Sequence, residues 1–268
     1  PGSTIVPVAG RISGAQTEIN GVKYCLTENE PGRTLHGGTD TANEQYWETS
    51  VEQENTQVTF GITLKDGFDG FPGDVRVLAT YRLSDENELF VEYRAESDKD
   101  TIFNPTNHVY FNLTGDFQQS VGEHQIRIAA NRYVPLGEDN LLIGVLEEVI
   151  ETPFDFRDFA SFSQGFNSQH TQNLLVKGYD HPWILEDVAT PVEVLSPDGK
   201  IKLSVVTNQP SVVIYTYNFP VEELAAFHGA FSLECQGLPN ACNVDRFGSI
   251  LLEQGDCFFS QTAYRFSW

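Results

Sequence analysis

The segment Val75-Arg76-Val77-Leu78-Ala79-Thr80-Tyr81-Arg82-Leu83 is followed by Ser84-Asp85-Glu86-Asn87-Glu88 and then by Leu89-Phe90-Val91-Glu92-Tyr93-Arg94-Ala95-Glu96. Apolar and polar residues alternate through both outer pieces, the period-two pattern of a strand with one face in a core. The polar piece between them reads as a hairpin loop. Working outward, Gln57 to Lys65 alternates in the same way. Val192 to Leu195 and Ile201 to Val206 flank Pro197-Asp198-Gly199, whose Asp-Gly pair favours a tight hairpin turn. His124 to Ala129, Val212 to Phe219, Ala230 to Cys235, Ser249 to Glu253 and Phe258 to Phe266 are further short β-branched and aromatic runs. Only Val221 to Phe227 reads as helix, and Ser161 to Asn173, rich in Ser, Gln and Asn, reads as a long surface loop. No linker, repeat or shift of composition divides the chain. The sequence therefore predicts an all-β sandwich or barrel, one domain over residues 1–268.

A chain of 268 residues can bury about three-quarters of its unfolded surface and needs no covalent staples. Sixteen Lys and Arg stand against 38 Asp and Glu, a net charge of −22, which repels phosphate backbones and anionic lipid. Nucleic acid and membrane are therefore not expected partners. The charge argues less strongly against an anionic small molecule, because grouped arginines act at short range. The four cysteines, Cys25, Cys235, Cys242 and Cys257, have no metal-ligand spacing and read as small apolar core residues of a reducing, cytoplasmic protein. No apolar run is long enough to span a bilayer and no basic-then-apolar leader precedes the first strand. The sequence begins at Pro1 and holds no methionine, which points to a trimmed N-terminus or to missing residues.

Four clusters carry the candidate chemistry. Asn104-Pro105-Thr106-Asn107-His108-Val109-Tyr110-Phe111-Asn112-Leu113 places amides, a hydroxyl and an imidazole in an apolar strand, where each polar group needs a partner or a function. His108 is the candidate there, the alternative being a satisfied core histidine. Leu35-His36-Gly37-Gly38 offers His36 beside glycines that let backbone approach a ligand closely; the alternative is a turn. Gly178-Tyr179-Asp180-His181-Pro182-Trp183 puts the Asp180 carboxylate among aromatic rings, a pattern that holds neutral sugars, unless Tyr179 and Trp183 are simply core. Glu234 lies in the middle of a strand, a candidate general base if buried; alternation allows instead a solvated face shared with Ser232 and Gln236. No HxxxH, HxH or Gly-x-Ser-x-Gly pattern occurs, so neither a metal centre nor a nucleophile elbow is expected. Asn112-Leu113-Thr114 matches a glycosylation sequon by chance.

Taken together, these residues resemble the aldose 1-epimerase, or galactose mutarotase, family. The matching segments are Ala9 to Ile12, Leu35 to Gly38 with Trp47, Asp69 to Gly73, Asn104 to Leu113, Thr152 to Arg157, Gly178 to His181, Val213 to Phe219 and Leu233 to Asn243, in the family's order over nearly the whole chain. The resemblance implies a large antiparallel β-supersandwich with an open sugar cleft. It implies a cofactor-free enzyme that interconverts the α and β anomers of free hexoses such as galactose and glucose, and a monomer or homodimer. It implies Glu234 as general base, His108 as general acid, and Arg11, His36 and Asp180 as the groups that hold sugar hydroxyls. The alternatives are a hexose-6-phosphate 1-epimerase, for which extra arginines around the cleft would be expected, and a non-catalytic sugar-binding protein. Three positions depart from the pattern: Asn240 for Asp, Pro105 for an apolar residue, and Tyr217 for glycine, where a ring is expected to narrow the cleft. The strands that precede the Gly-Arg segment in the family are not in the sequence, so a missing sheet edge is expected.

Overall fold

The alternating segments pair as their pattern requires. Gln57–Leu64, Val75–Leu83 and Glu88–Ser97 form consecutive antiparallel hairpins, and Val192–Leu195 pairs with Lys202–Thr207 across the Asp198-Gly199 turn. With Cys257–Ser267 between Glu88–Ser97 and Lys202–Thr207, and Glu48–Glu52, Gln125–Ile128 and Ala160–Ser161 completing it, they make a nine-stranded sheet. The structure is a computed structural model that describes residues 2–142, 144–220 and 224–268.

A second sheet of six strands decides where the site lies. From one edge inward run Tyr110–Phe111, Phe231–Gln236, Ser211–Tyr215 and Asp180–Ile184, each antiparallel to its neighbour. Side chains alternate between the two faces of a sheet. Phe231, Leu233, Cys235, Val212, Ile214 and Trp183 fall on one face and pack with Ile126, Val194, Leu203, Val205, Val91 and Tyr264 of the nine-stranded sheet into the main core. The opposite face carries Asp180, Pro182, Val213, Tyr215, Glu234 and Gln236, and this is the face that opens into the cleft. The expected antiparallel supersandwich is what these two sheets build.

Three expectations need correction. Residues 161–173 are not a surface loop: Ser163–Phe166 and Thr171–Val176 are short helices. Their polar composition hides an apolar inner side, with Phe162 and Val176 buried, and His170 caps the second helix by accepting the Gln172 N–H at 3.3 Å. The helix expected over Val221 to Phe227 falls in part on residues outside the described ones, and 224–227 form turns and coil. Of the cysteines, Cys235 is buried but Cys25 and Cys257 are exposed: Cys25 ends the largely exposed strand Val22–Cys25 of a two-stranded sheet, and Cys257 opens the strand Cys257–Ser267 at its exposed end.

Candidate active site

Neighbouring strands set the floor of the site in rows. Tyr110 stands opposite Ser232, Ser232 opposite Tyr215, and Tyr215 opposite Asp180; the next row is Glu234, Val213 and Pro182. Rows two residues apart share a face, so Glu234, Asp180, Tyr110 and Tyr215 converge on one side without any local sequence signal. His108 ends the Thr106–His108 strand, which pairs with Ser3–Ile5, and reaches over this floor. Its Nε2 lies 3.3 Å from Glu234 Oε1. The Ser232 hydroxyl donates to the same carboxylate oxygen at 3.1 Å.

The opposite wall comes from the antiparallel pair Arg11–Ser13 and Arg33–Leu35, in which Arg11 faces Leu35. Gly10 donates its N–H to His36 Nδ1 at 3.2 Å, and His36 returns its own N–H to Gly10 O at 3.0 Å. Burial, His108 and the Arg11 guanidinium push the His36 imidazole down to about 3, so the ring is neutral at physiological pH. With Nδ1 accepting, its proton sits on Nε2, which makes His36 a fixed hydrogen-bond donor. Arg11 Nη1 lies 3.7 Å from Asp180 Oδ2. Burial drives the Asp180 carboxyl up to about 6, against the pull of Arg11 and with the push of Glu234.

The five residues expected at the site, Arg11, His36, His108, Asp180 and Glu234, therefore line one cavity of about 240 Å³. That lies below the roughly 300–1,000 Å³ of drug-sized pockets and suits a single small polar molecule. The solvated-face alternative for Glu234 fails, because Ser232, Glu234 and Gln236 are all buried. Ten buried side-chain polar atoms of the described residues lack a hydrogen-bond partner, and four of them, His108 Nδ1, Asn140 Oδ1 and both amide atoms of Gln236, belong to residues of this cavity. Among the described residues no group of three or more His, Cys, Asp or Glu is arranged to hold a metal ion.

The aromatic reading of the Asp180 segment is corrected. Tyr179 and Trp183 are fully buried, Trp183 donating to Phe154 O at 2.9 Å, so neither meets a ligand. The rings that line the cavity are Tyr110, Tyr215 and Phe219, none singled out by the sequence; strand register places the two tyrosines, and Phe219 lies beyond the strand end. The glycines after His36 also serve packing rather than ligand approach: a side chain on Gly38 would overlap the Asp69 carboxylate, which accepts the Thr39 and Asp40 N–H groups at 3.0 and 3.1 Å. Tyr217 has φ 49°, the left-handed region that favours glycine. Its ring packs 5.4 Å from Tyr110, and Tyr217 is not among the described residues lining the cavity, so the expected narrowing is absent. Asn240 likewise turns away, accepting the Ser13 N–H and hydroxyl at 3.0 and 3.1 Å. Asn112 donates to the carbonyls of Asp116, Gln119 and Gly229, each at 2.9 Å, which occupies the sequon amide.

The all-β cleft sets a carboxylate against an imidazole, with Arg11, His36 and Asp180 around them, an arrangement open to acid–base chemistry on a small polar molecule. The aldose 1-epimerase family model matches residues 1–265. The aldose 1-epimerase of Escherichia coli K12 is 33% identical over 99% of this chain and 79% of its own length. The galactose mutarotase of Rattus norvegicus is also 33% identical, over 99% of this chain and 78% of its own. A solved structure, galactose 1-epimerase from Lactobacillus acidophilus, superposes with a TM-score of 0.88 at 29% identity, covering 98% of this chain and 79% of that one. An aldose epimerase homologue from C. elegans gives 0.90 at 27% identity, covering 98% and 81%. The chain belongs to the aldose 1-epimerase family. It is accordingly an isomerase that interconverts the anomers of aldoses.

Proposed function

We propose that the 268 residues act as one catalytic unit on a free, neutral hexose of the galactose and glucose type, with Glu234 as general base and His108 as general acid. Anomer exchange removes the proton of the C1 hydroxyl and delivers one to the ring oxygen as the C1–O5 bond opens. Those two oxygens are bonded to the same carbon, so the groups that serve them must be neighbours rather than on opposite walls. The 3.3 Å approach of His108 Nε2 to Glu234 Oε1 carries this reading. A sugar entering the cavity takes the place of that contact: the carboxylate accepts the hydroxyl proton and the imidazolium donates to O5. Once C1–O5 is open, rotation about the intact C1–C2 bond presents the other face of the C1 carbonyl, and the same two groups work in reverse to close the ring.

The remaining groups hold the ring. His36 donates from Nε2, Arg11 donates from its guanidinium and the ionised Asp180 accepts, which fits a substrate whose hydroxyls are both donors and acceptors. Arg11 is the one Lys or Arg among the described lining, beside the carboxylates of Asp180 and Glu234, so no cluster of arginines is there to hold a phosphate. Exposed, unpaired Cys25 and Cys257 fit a reducing compartment, and we place the protein in the cytoplasm as a monomer or homodimer with no nucleic-acid or membrane partner. No helix of the described residues is long and apolar enough to cross a membrane.

Polarimetry on freshly dissolved galactose, glucose and glucose 6-phosphate, corrected for the buffer rate, tests the substrate. The neutral sugars should equilibrate faster at equal concentration. A faster rate for the phosphate would transfer the assignment to the hexose-6-phosphate epimerases.

A further inference from the structure

We infer that Glu30 is a positioning residue for sugar binding, holding the Arg11 guanidinium so that one edge faces the cleft. The inference rests on the assignment of Arg11 to the sugar. Its structural basis begins with the turn Glu30-Pro31-Gly32-Arg33. Proline sets the second position and Gly32 has φ 73°, the combination that closes a type II turn. The turn brings Glu30 and Arg33 face to face, with backbone hydrogen bonds of 3.3 and 3.0 Å between them. The strand that leaves it, Arg33–Leu35, pairs with Arg11–Ser13 so that Leu35 meets Arg11 and Arg33 meets Ser13. Arg11 and Arg33 consequently lie on the same face of this ribbon, two positions apart, with the Glu30 carboxylate between them.

The contacts are specific. Arg11 Nε donates to Glu30 Oε2 at 2.8 Å and its Nη2 to Oε1 at 3.4 Å, the two-point fork that fixes the guanidinium plane. Arg33 Nε lies 3.0 Å from the same Oε2, so the carboxylate's charge is shared between two arginines and adds little negative potential to the cleft. Nη1 remains, directed to Asp180 across 3.7 Å, a gap too wide for a direct hydrogen bond. Arg11 is thus kept from collapsing onto Asp180, and both stay available to sugar hydroxyls. Without Glu30, the guanidinium would close on Asp180 and each group would occupy the other.

The side chains of Arg11 and Glu30 are 23% and 27% exposed, so the pair is partly buried and removal of Glu30 should lower stability as well as activity. The positioning role is therefore read from kinetics and not from thermal stability. A double-mutant cycle between Glu30 and Arg11 separates a positioning role from a structural one. Glu30→Ala should lower kcat/KM for galactose roughly ten- to hundredfold, mainly through KM, as small misplacements of binding groups do. Glu30→Gln, which keeps one acceptor and the side-chain volume, should recover part of the loss. In an Arg11→Ala background both substitutions should change kcat/KM by less than about twofold, since their target is gone. A full Glu30 effect in that background, or none in the wild type, overturns the positioning role alone. An Arg11→Ala enzyme with wild-type kcat/KM overturns the assignment of Arg11 to the sugar, and the inference about Glu30 falls with it. Should Glu30→Ala fail to fold, the cycle with Glu30→Gln and Arg11→Ala decides by the same criteria.

Discussion

His108 and Glu234 meet at 3.3 Å although they belong to different sheets: His108 ends a strand paired with Ser3–Ile5, and Glu234 lies on the second strand of the six-stranded sheet. In the proposed mechanism each group assists one proton transfer of the same ring opening, a contribution on the order of 10² to 10⁴ in rate. Glu234→Gln and His108→Asn should each lower kcat by that range with little change in sugar binding. If both serve one transition state, the double substitution should lose far less than the product of the single losses. Retention of more than about a tenth of kcat by Glu234→Gln would move the base elsewhere.

Asp180 sets a pH dependence. Its carboxyl is raised from 3.8 to about 6 by burial, and the ionised form is the stronger acceptor for a sugar hydroxyl. The kcat/KM profile should therefore fall on its acid side with an apparent pKa near 6, and Asp180→Asn should remove that limb. The linked effect on stability has a definite sign. Between the unfolded value of 3.8 and about 6 the folded protein holds a proton that the unfolded chain has lost, so stability falls as pH rises through this window. Chemical denaturation of wild type and Asp180→Asn at the two ends of the window measures it; parallel stability curves would refute the raised carboxyl.

His36 should behave differently. Held down to about 3, it does not titrate between pH 5 and 8, and it contributes as a neutral donor. His36→Ala should raise KM by about tenfold, the worth of one good hydrogen bond, while the shape of the pH profile stays that of the wild type. A profile that shifts on removal of His36 would show that the ring changes charge in the working range.

Asn104 ties the opening of the His108 segment to the end of the Glu234 strand. Its Oδ1 accepts the Gly237 N–H at 2.8 Å and its Nδ2 donates to Gly237 O at 3.0 Å. Replacing it by Leu, similar in size, removes both partners from the half-buried Gly237 backbone, at a cost of about 1–3 kcal/mol. Denaturant unfolding should show that loss, together with reduced kcat, because the strand end that carries Glu234 is released. Unchanged stability would mean that water satisfies Gly237 in its place.

The period-two alternation of Val75–Leu83 and Glu88–Ser97 was readable in the sequence, because an amphipathic strand needs only its own residues to declare which face is wet. The polar residues of the Asn104 to Leu113 segment were equally legible as an anomaly, since buried amides and imidazoles are costly wherever they occur. Helix in the Ser161 to Asn173 segment was not legible: its stabilisation comes from Phe162 and Val176 meeting a core built by distant strands. Nor could composition say that Trp183 faces inward and Tyr215 faces the cleft, because strand pairing fixes the face and a shift of one residue would exchange them. The sequence by itself determined the all-β class and the side chains able to do the chemistry. The tertiary structure alone decided which of them meet, because the pairing of strands far apart in the chain places the Glu234 carboxylate against His108 and leaves Glu30 to aim Arg11.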